Sequence, residues 1–250
     1  MEMTLRPPSW NSSWDHPLLR SEDVHVWRVA LDQPASVAQS FLRILAPDER
    51  LRSENYYFSK DRDCFVIARG VLRTLLGRYL QTEPDQLRFC YGPHGKPALI
   101  GPSGTDQIRF SVSHSHQLAL CAVTRNREIG VDVEYVREDL ANTEIAERFF
   151  SRREAAMLRA LPIERRAEGF FNCWTRKEAY IKARGSGLSL PLNLFDVSAG
   201  LGEGAAILST QENSPEALDW SLRDLEPAPG YVAALAVAGG NWRLSCWEEM

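Results

Sequence analysis

The chain has 250 residues, enough for one large domain or two smaller ones, and its 44% hydrophobic and 25% charged residues are typical of an ordinary globular protein. A formal net charge of -4 gives no general reason to expect nucleic acid or an anionic membrane as a partner. Five scattered cysteines without a CxxC pair favour reduced thiols over a disulfide framework or a zinc site. Because no apolar run has the length of a membrane span and the first residues lack a signal-peptide pattern, we expect a cytoplasmic protein.

The first half of the chain alternates between strand and helix patterns after an irregular, proline-rich arm over residues 1–20. The clearest helix spans Arg62 to Leu80, where apolar residues recur at steps of three and four. Residues 91–97 have turn chemistry and carry one cation, Lys96. In chain order, the predicted elements are a strand over 24–29, a helix from 34 to about 45, a charged turn over 48–52, the helix over 62–80, and strands over 108–112 and 118–123.

The second half shows the same order of strand, helices and strands. Ser151 and Glu154 have capping-box spacing at the start of a helix, and a long helix ends at Gly185. The predicted elements are a strand over 129–136, helices over 142–150, from 151 and over 165–184, and strands over 195–198, 205–208, 218–225, 231–237 and 242–247. This order predicts an α+β fold with two halves, residues 21–126 and 127–250, each with a small, mostly antiparallel sheet packed on helices.

Two carboxylates, Asp132 and Glu134, are separated by one residue on the predicted strand over 129–136. Side chains at i and i+2 leave the same face of a strand, and adjacent carboxylates repel one another unless a cation offsets their charge. Hard oxygen ligands of this kind suit Mg²⁺. The alternative is a solvated edge strand, in which alternating polar residues are common.

The helix over 165–184 carries Trp174, Glu178 and Lys182 at four-residue intervals, so the three side chains share one face. Glu178 supplies a third carboxylate, and Lys182 suits a substrate phosphate, because Mg²⁺ is commonly bound by one or two carboxylates plus substrate phosphates. Glu178 is also a candidate to accept a proton from an attacking hydroxyl. An exposed ion pair is the alternative for Glu178 and Lys182, although the wide ring of Trp174 favours a covered face.

The segment Ser113-His114-Ser115 follows a predicted strand and suits either anion binding or a structural turn. No nucleophile elbow surrounds Ser113, which argues against a hydrolase triad. His114 and His116 lack an evident third soft ligand for a transition metal. Basic residues of the first half are open to two interpretations, phosphate clamps or a solvated helix edge: Lys96, Arg52, Arg69 and Arg73.

Together these motifs resemble one family, the 4′-phosphopantetheinyl transferases of the surfactin-synthetase-activating (Sfp) type. The resemblance extends from about residue 45 to 198. It rests on the order and spacing of the motifs more than on any single one. The matching segments are Gly95-Lys96-Pro97, Phe110–Ser115, Ile129–Glu134, Arg148–Glu154, Trp174–Lys182 and Gly185–Leu192.

The resemblance implies two pseudo-twofold-related halves with coenzyme A in the cleft between them. It also implies a Mg²⁺-dependent enzyme that transfers 4′-phosphopantetheine from coenzyme A to a serine of an apo acyl or peptidyl carrier protein and releases 3′,5′-ADP. Asp132, Glu134 and Glu178 fall on the magnesium-ligand positions, and Glu178 and Lys182 fall on the catalytic ones. The implied coenzyme A contacts are Lys96, Ser113, His114, Arg52, Arg69 and Lys177.

We therefore expect a monomeric transferase whose partners are coenzyme A and carrier proteins, without nucleic acid or membrane. Because carrier proteins are commonly acidic, the arginine-rich segment Arg148–Arg153 is the predicted docking surface. Two alternatives stay open. A metal-dependent phosphohydrolase of coenzyme A-like substrates would need no carrier protein, and a non-catalytic carrier-binding module would need neither Glu178 nor Lys182.

Overall fold

The structure, a computed structural model, describes residues 9–12, 18–101, 107–139, 143–200, 202–210 and 219–249. Asn142, the first residue of the helix predicted over 142–150, and most of the predicted arm lie outside these residues. The helices are α1 (Ala35–Leu42), α2 (Pro47–Glu54), α3 (Ser59–Leu80), α4 (Thr143–Phe149), α5 (Arg152–Ala160) and α6 (Arg166–Arg184). None of the helices in the described ranges is long and apolar enough to cross a membrane.

The strands occur in groups before, between and after the two sets of three helices. They are β1 (Trp10–Asn11), β2 (Asp23–Ala30), β3 (Arg88–Tyr91), β4 (Pro97–Ile100), β5 (Ile108–Ser115), β6 (Leu118–Arg125), β7 (Ile129–Tyr135), β8 (Phe195–Val197), β9 (Ile207–Thr210), β10 (Trp220–Leu225), β11 (Tyr231–Ala238) and β12 (Arg243–Glu249). The predicted helix caps are present at both tested positions. Ser151 Oγ accepts a hydrogen bond from Glu154 N at the start of α5, and Gly185, at φ +67°, ends α6 in the left-handed conformation.

Most of the strands belong to two sheets. A five-stranded sheet has the order β1-β12-β2-β6-β5, and a three-stranded sheet has the order β10-β11-β7. The pairs β3–β4 and β8–β9 form separate two-stranded ribbons. All described pairs are antiparallel except β1–β12 and β12–β2, which are parallel. This arrangement confirms the predicted α+β class with small, mostly antiparallel sheets packed on helices.

The C-terminal strand β12 lies inside the five-stranded sheet, between β1 and β2. Trp247 of β12 stacks on Trp27 of β2, with the ring centroids 5.1 Å apart. A segment from the predicted second half therefore completes a sheet whose other long strands come from the first half. The predicted boundary at residue 127 divides the sequence but does not divide this sheet.

Three apolar clusters form the core. The first packs α3 against the five-stranded sheet, and the second surrounds α6. The third lies between the two sheets and includes Val26, Val131 and Leu235, all fully buried. Because burial of apolar surface drives this packing, the two sheets are held against each other. Their edge strands β5 and β7, which carry the candidate site, are fixed side by side.

Candidate active site

Asp132 lies at the centre of a polar cluster formed by β5, β7 and α6. Its side chain is 4% exposed, and Oδ1 accepts hydrogen bonds from Lys182 Nζ at 2.6 Å and from Ser113 Oγ at 2.8 Å. The second oxygen, Oδ2, is buried and has no hydrogen-bond partner among the described residues. Leaving a buried carboxylate oxygen unpaired costs free energy, so this position favours a cationic ligand.

Gly130 explains how α6 comes close enough to β7 to form this cluster. A Cβ atom at residue 130 would overlap the backbone of Ala179 and Ala183 on α6. Because only glycine lacks that atom, it permits the close approach of helix and strand. Lys182, which neighbours the contact at Ala183, thereby reaches Asp132.

Glu134 and Glu178 complete the set of three carboxylates predicted from the sequence. Glu134 Oε2 accepts a hydrogen bond from Ser115 Oγ at 2.7 Å. Burial raises the pKa of Glu134; the Ser115 hydrogen bond opposes this effect, and the Asp132 carboxylate adds to it. Burial also raises the pKa of Glu178, and Asp132 adds to that rise, while Lys182 opposes it. The three carboxylates are therefore close enough to influence one another electrostatically.

These carboxylates do not already form a metal-ligand set. Across the described ranges, no group of three or more His, Cys, Asp or Glu side chains is arranged to hold a metal ion. Lys182 occupies Oδ1 of Asp132, and Ser115 is bonded to Glu134. The donor chemistry nevertheless fits Mg²⁺, because all three groups offer hard oxygen ligands, their charges repel, and Asp132 Oδ2 lacks a protein partner in this part of the chain.

Alternate serines of β5 line the edge of β7. Ser111 Oγ accepts a hydrogen bond from Val131 N, and Ser115 Oγ accepts one from Tyr135 N, both at 3.1 Å. Residues i, i+2 and i+4 of a strand share a face, so these serines and Ser113 between them satisfy polar groups at this edge. The sequence analysis considered the segment Ser113-His114-Ser115 but assigned a ligand contact only to Ser113 and His114, and it did not single out Ser111. The two-residue spacing of the three serines is the signal that groups them. The predicted strand end at residue 112 is wrong, because β5 stays paired with β6 through Ser115.

His114 lies in the same cleft as Lys182. Although solvent reaches the ring, the surrounding protein displaces part of its water and lowers the pKa of His114, and the charges of Lys182 and Arg52 act in the same direction. Arg52 is exposed on α2, with its guanidinium carbon 5.2 Å from the centroid of the Phe65 ring. The structure therefore brings three predicted coenzyme A contacts, Ser113, His114 and Arg52, into the neighbourhood of Lys182.

Lys96 lies in the turn between β3 and β4 and reaches the C-terminal end of α6. Its Nζ donates hydrogen bonds to the carbonyl oxygen of Ala183 at 2.8 Å and to Glu128 Oε2 at 3.0 Å. Ala183 follows Lys182 in the chain. A fourth predicted coenzyme A contact thus lies beside the helix that carries the predicted catalytic lysine.

Arg69 is held in a largely buried network under the β3–β4 ribbon. Its side chain is 12% exposed, pairs with Glu49 at 2.5 Å and donates to the hydroxyl group of Tyr91. Arg73 binds the other carboxylate oxygen of Glu49 at 2.6 Å. The network joins α3 to α2 and to the ribbon, so the position of Arg69 gives no support to its predicted contact with coenzyme A.

Lys177 is completely buried in the second half. Its Nζ pairs with Glu154 Oε2 at 2.8 Å and donates to the carbonyl oxygens of Leu192 and Phe195. Both side chains of the ion pair have 0% exposure. A lysine with these partners ties α6 to α5 and to the start of β8. Its position does not support the prediction that it contacts coenzyme A.

A groove of about 410 Å³ opens beside Glu134. Aromatic rings form much of its wall, and it is lined by Ser115, His116, Glu134, Tyr135, Arg137, Ile145, Phe170, Phe171 and Trp174. Phe149 packs edge-on against Trp174 with a centroid separation of 6.0 Å, and the guanidinium of Arg148 lies over the Phe149 ring. The groove therefore extends from Glu134 to Trp174, which contacts the predicted docking segment Arg148–Arg153 at Phe149.

Comparison with known proteins gives matches in both halves of the chain. Residues 128–236 match the family model of the 4′-phosphopantetheinyl transferase superfamily, and residues 33–126 match the model described as 4′-phosphopantetheinyl transferase, N-terminal. The 4′-phosphopantetheinyl transferase HetI of Nostoc sp. is 42% identical over 230 residues, which are 92% of this chain and 94% of HetI. The 4′-phosphopantetheinyl transferase Sfp of Bacillus subtilis is 29% identical over 215 residues, which are 85% of this chain and 92% of Sfp.

Proposed function

The chain belongs to the 4′-phosphopantetheinyl transferase superfamily, and we propose that it performs the transfer with Mg²⁺ held by Asp132, Glu134 and Glu178 and with Lys182 acting on the substrate phosphates. It is a transferase that moves phosphopantetheine from coenzyme A to a carrier protein. In the proposed reaction, the acceptor is a serine of the apo carrier protein and 3′,5′-ADP is released. The nucleophile comes from the partner, in keeping with the lack of a nucleophile elbow around Ser113.

Asp132 Oδ2 has no hydrogen-bond partner within the described ranges, and this observation carries the metal assignment. Glu134 and Glu178 add two partly buried carboxylates that influence each other and Asp132, and a divalent cation would relieve their repulsion. Once bound, Mg²⁺ would stabilise negative charge on the diphosphate of coenzyme A. The protein's own residues supply the remaining steps.

Lys182 provides the cation next to Asp132. Hydrogen bonds to Asp132 and Ser113 fix the position of its Nζ. From there, the ammonium group stabilises the substrate diphosphate as the phosphorus–oxygen bond to 3′,5′-ADP breaks, and it can donate a proton to the departing oxygen. Glu178, one turn earlier on α6, accepts the proton of the carrier serine hydroxyl as the serine oxygen forms its bond to phosphorus.

Coenzyme A is proposed to bind along the cleft that contains Ser113, His114, Arg52 and Lys96. These residues lie near Lys182 or near the end of α6, and the cationic members match the negative charge of the nucleotide phosphates. Arg69 and Lys177 stabilise the walls of the two halves through buried pairs with Glu49 and Glu154.

The carrier protein is proposed to approach over the groove beside Glu134. The aromatic wall of the groove continues through Phe149 to the exposed cations Arg152 and Arg153. An acidic helical carrier would match this charge while its serine reaches the carboxylates. The chain is proposed to act as a monomer, because the described residues of one chain supply all the proposed ligands.

Release of 3′,5′-ADP, measured with and without an apo carrier protein, tests the reaction class. We expect release from coenzyme A only when Mg²⁺ and the carrier are both present, in equal amount to the modified carrier. Release without a carrier would favour a metal-dependent phosphohydrolase. Binding of several carriers without any release would favour a non-catalytic carrier-binding module.

A further inference from the structure

Glu128 lies where four elements of the proposed site meet. Its Oε2 accepts a hydrogen bond from Lys96 Nζ, and its Oε1 accepts one from Arg109 Nε, both at 3.0 Å. Lys96 belongs to the β3–β4 turn and Arg109 to β5, while Glu128 itself immediately precedes β7. Lys96 also donates to the carbonyl oxygen of Ala183 on α6. A single carboxylate thus connects the ribbon, both edge strands and the helix that carry the proposed site.

The negative charge of Glu128 lies between two cations, Lys96 and Arg109. Burial lowers the pKa of Lys96, the ion pair with Glu128 opposes that effect, and Arg109 adds to the lowering. The Lys96 ammonium and the Arg109 guanidinium therefore repel each other, and the carboxylate between them offsets the repulsion. Removing the carboxylate charge would take away this offset and weaken the hold on Lys96 at its contact with α6.

The contact between Lys96 and α6 is a helix cap supplied from another part of the chain. Ala183 is one of the last residues of α6, and carbonyl groups at a helix C-terminus lack partners within the helix. A cation at this end is also favoured by the helix dipole. The lysine stem passes close to the cap residue, since a Cβ atom at Gly185 would lie 3.5 Å from Lys96 Cδ.

We propose that Glu128 is a positioning residue for coenzyme A binding, because its carboxylate holds the Lys96 ammonium at the carbonyl of Ala183 and so fixes the β3–β4 turn at the end of α6, next to Lys182. This inference rests on the proposed function, in which Lys96 contacts coenzyme A. The side chains of Glu128 and Arg109 are 46% and 39% exposed, and exposed ion pairs contribute little to folding stability. The contribution of Glu128 is therefore expected in ligand binding and not in folding.

Kinetics of Glu128→Gln test this role, because the substitution keeps the size of the side chain but removes its charge and replaces one of its two acceptor oxygens with an NH2 donor. We expect the KM for coenzyme A to rise about three- to fivefold, with kcat changed by less than about twofold and the melting temperature unchanged. Glu248→Gln is the matched control: it removes a carboxylate that is 51% exposed and paired with Arg28 at 2.9 Å. The control should keep the wild-type KM.

A second substitution separates positioning from general damage. Arg109→Gln in the Glu128→Gln background removes the repulsion from Lys96, so we expect the KM for coenzyme A to return towards the wild-type value. The inference would be overturned by an unchanged KM for coenzyme A in Glu128→Gln. It would also be overturned if the effects of the two single substitutions on this KM simply added in the double variant. A wild-type enzyme that modifies no carrier would instead remove the proposed function. Calorimetric titration with coenzyme A alone would still compare the affinities of the wild-type protein and Glu128→Gln in that case.

Discussion

Lys182 Nζ lies 2.6 Å from Asp132 Oδ1, so a cation of α6 and a buried carboxylate of β7 form an ion pair inside the proposed site. The lysine is 30% exposed while the aspartate is 4% exposed. Lys182 can therefore meet a ligand entering from solvent, while Asp132 is held within the protein. This difference predicts that Lys182 acts on the substrate and Asp132 on the metal.

Lys182→Ala is expected to lower kcat about a hundredfold or more, because the variant loses the ammonium that stabilises charge in the transition state. The KM for coenzyme A should change much less, which is the signature of a contact made mainly in the transition state. Steady-state kinetics with saturating carrier protein check this. Lys60→Ala, which removes an exposed lysine of α3, is the control. A raised KM with an unchanged kcat would limit Lys182 to substrate binding.

Lys177→Met is expected to lower the free energy of unfolding by about 3 kcal/mol or more, because it leaves Glu154 charged, buried and without its cation. Urea denaturation measures the loss. Adding Glu154→Gln should recover part of it, since the uncompensated charge is then gone. A Lys177→Met protein of normal stability but weak coenzyme A binding would restore the contact predicted from the sequence.

The sequence indicated which side chains lie together in the proposed site better than it indicated the buried residues that support them. Asp132 and Glu134 are two residues apart on a strand, and Glu178 and Lys182 are four residues apart on a helix, so local periodicity places each pair on one face. Lys177 directly precedes Glu178 and is charged as well, yet it faces the core. Its partner Glu154 and its carbonyl acceptors come from other elements, so its burial depends on tertiary packing that local spacing does not reveal.

The arrangement of the strands also depends on tertiary contacts that local sequence patterns do not reveal. Strands were predicted over 24–29, from an alternating pattern, and over 242–247, but the sequence did not reveal that β2 and β12 pair in parallel and join the start of the chain to its end. The β3–β4 ribbon was predicted only as a turn, because its strands are four residues each and half-exposed. Such strand pairings depend on contacts between residues that are distant in sequence. The role of Gly130 in the close approach of α6 to β7 is likewise recognisable only once Ala179 and Ala183 are known to pack on it.

Acid is expected to destabilise the protein through His25. The Tyr79 hydroxyl accepts from Trp27 Nε1 at 2.9 Å and lies 2.8 Å from His25 Nδ1, so it can donate to an unprotonated imidazole. Burial lowers the pKa of His25 to about 4, while Asp23 opposes the shift. Between pH 6.5 and 4, the unfolded chain binds a proton at His25 that the folded chain does not, so stability falls as the pH falls.

Urea denaturation at pH 7 and pH 5 measures this effect. Between pH 7 and pH 5, the free energy of unfolding of the wild-type protein should fall by about 2 kcal/mol more than that of His25→Gln. His94→Gln, which removes an exposed histidine, is the control and should behave as wild type. Equal losses in wild type and His25→Gln would show that other groups govern the acid sensitivity.

Charge reversal at Arg152 or Arg153 is expected to raise the KM for the carrier protein about five- to tenfold, because each variant places a carboxylate opposite an acidic partner. The KM for coenzyme A should change less, since neither arginine lies in the proposed coenzyme A cleft. Kinetics in which each substrate is varied separately check the difference. Arg20→Glu reverses an exposed charge beside the five-stranded sheet and serves as the control. Unchanged carrier kinetics would place the docking surface elsewhere.

The intact mass of an apo carrier protein, after incubation with coenzyme A and enzyme, tests the central claim most directly. With wild-type enzyme, the carrier should gain the mass of one phosphopantetheine group when Mg²⁺ is present and none after the divalent cations are removed with a chelator. With Asp132→Ala, it should gain none at any Mg²⁺ concentration. A full gain in the presence of the chelator, or a full gain with Asp132→Ala, would contradict the proposed magnesium site.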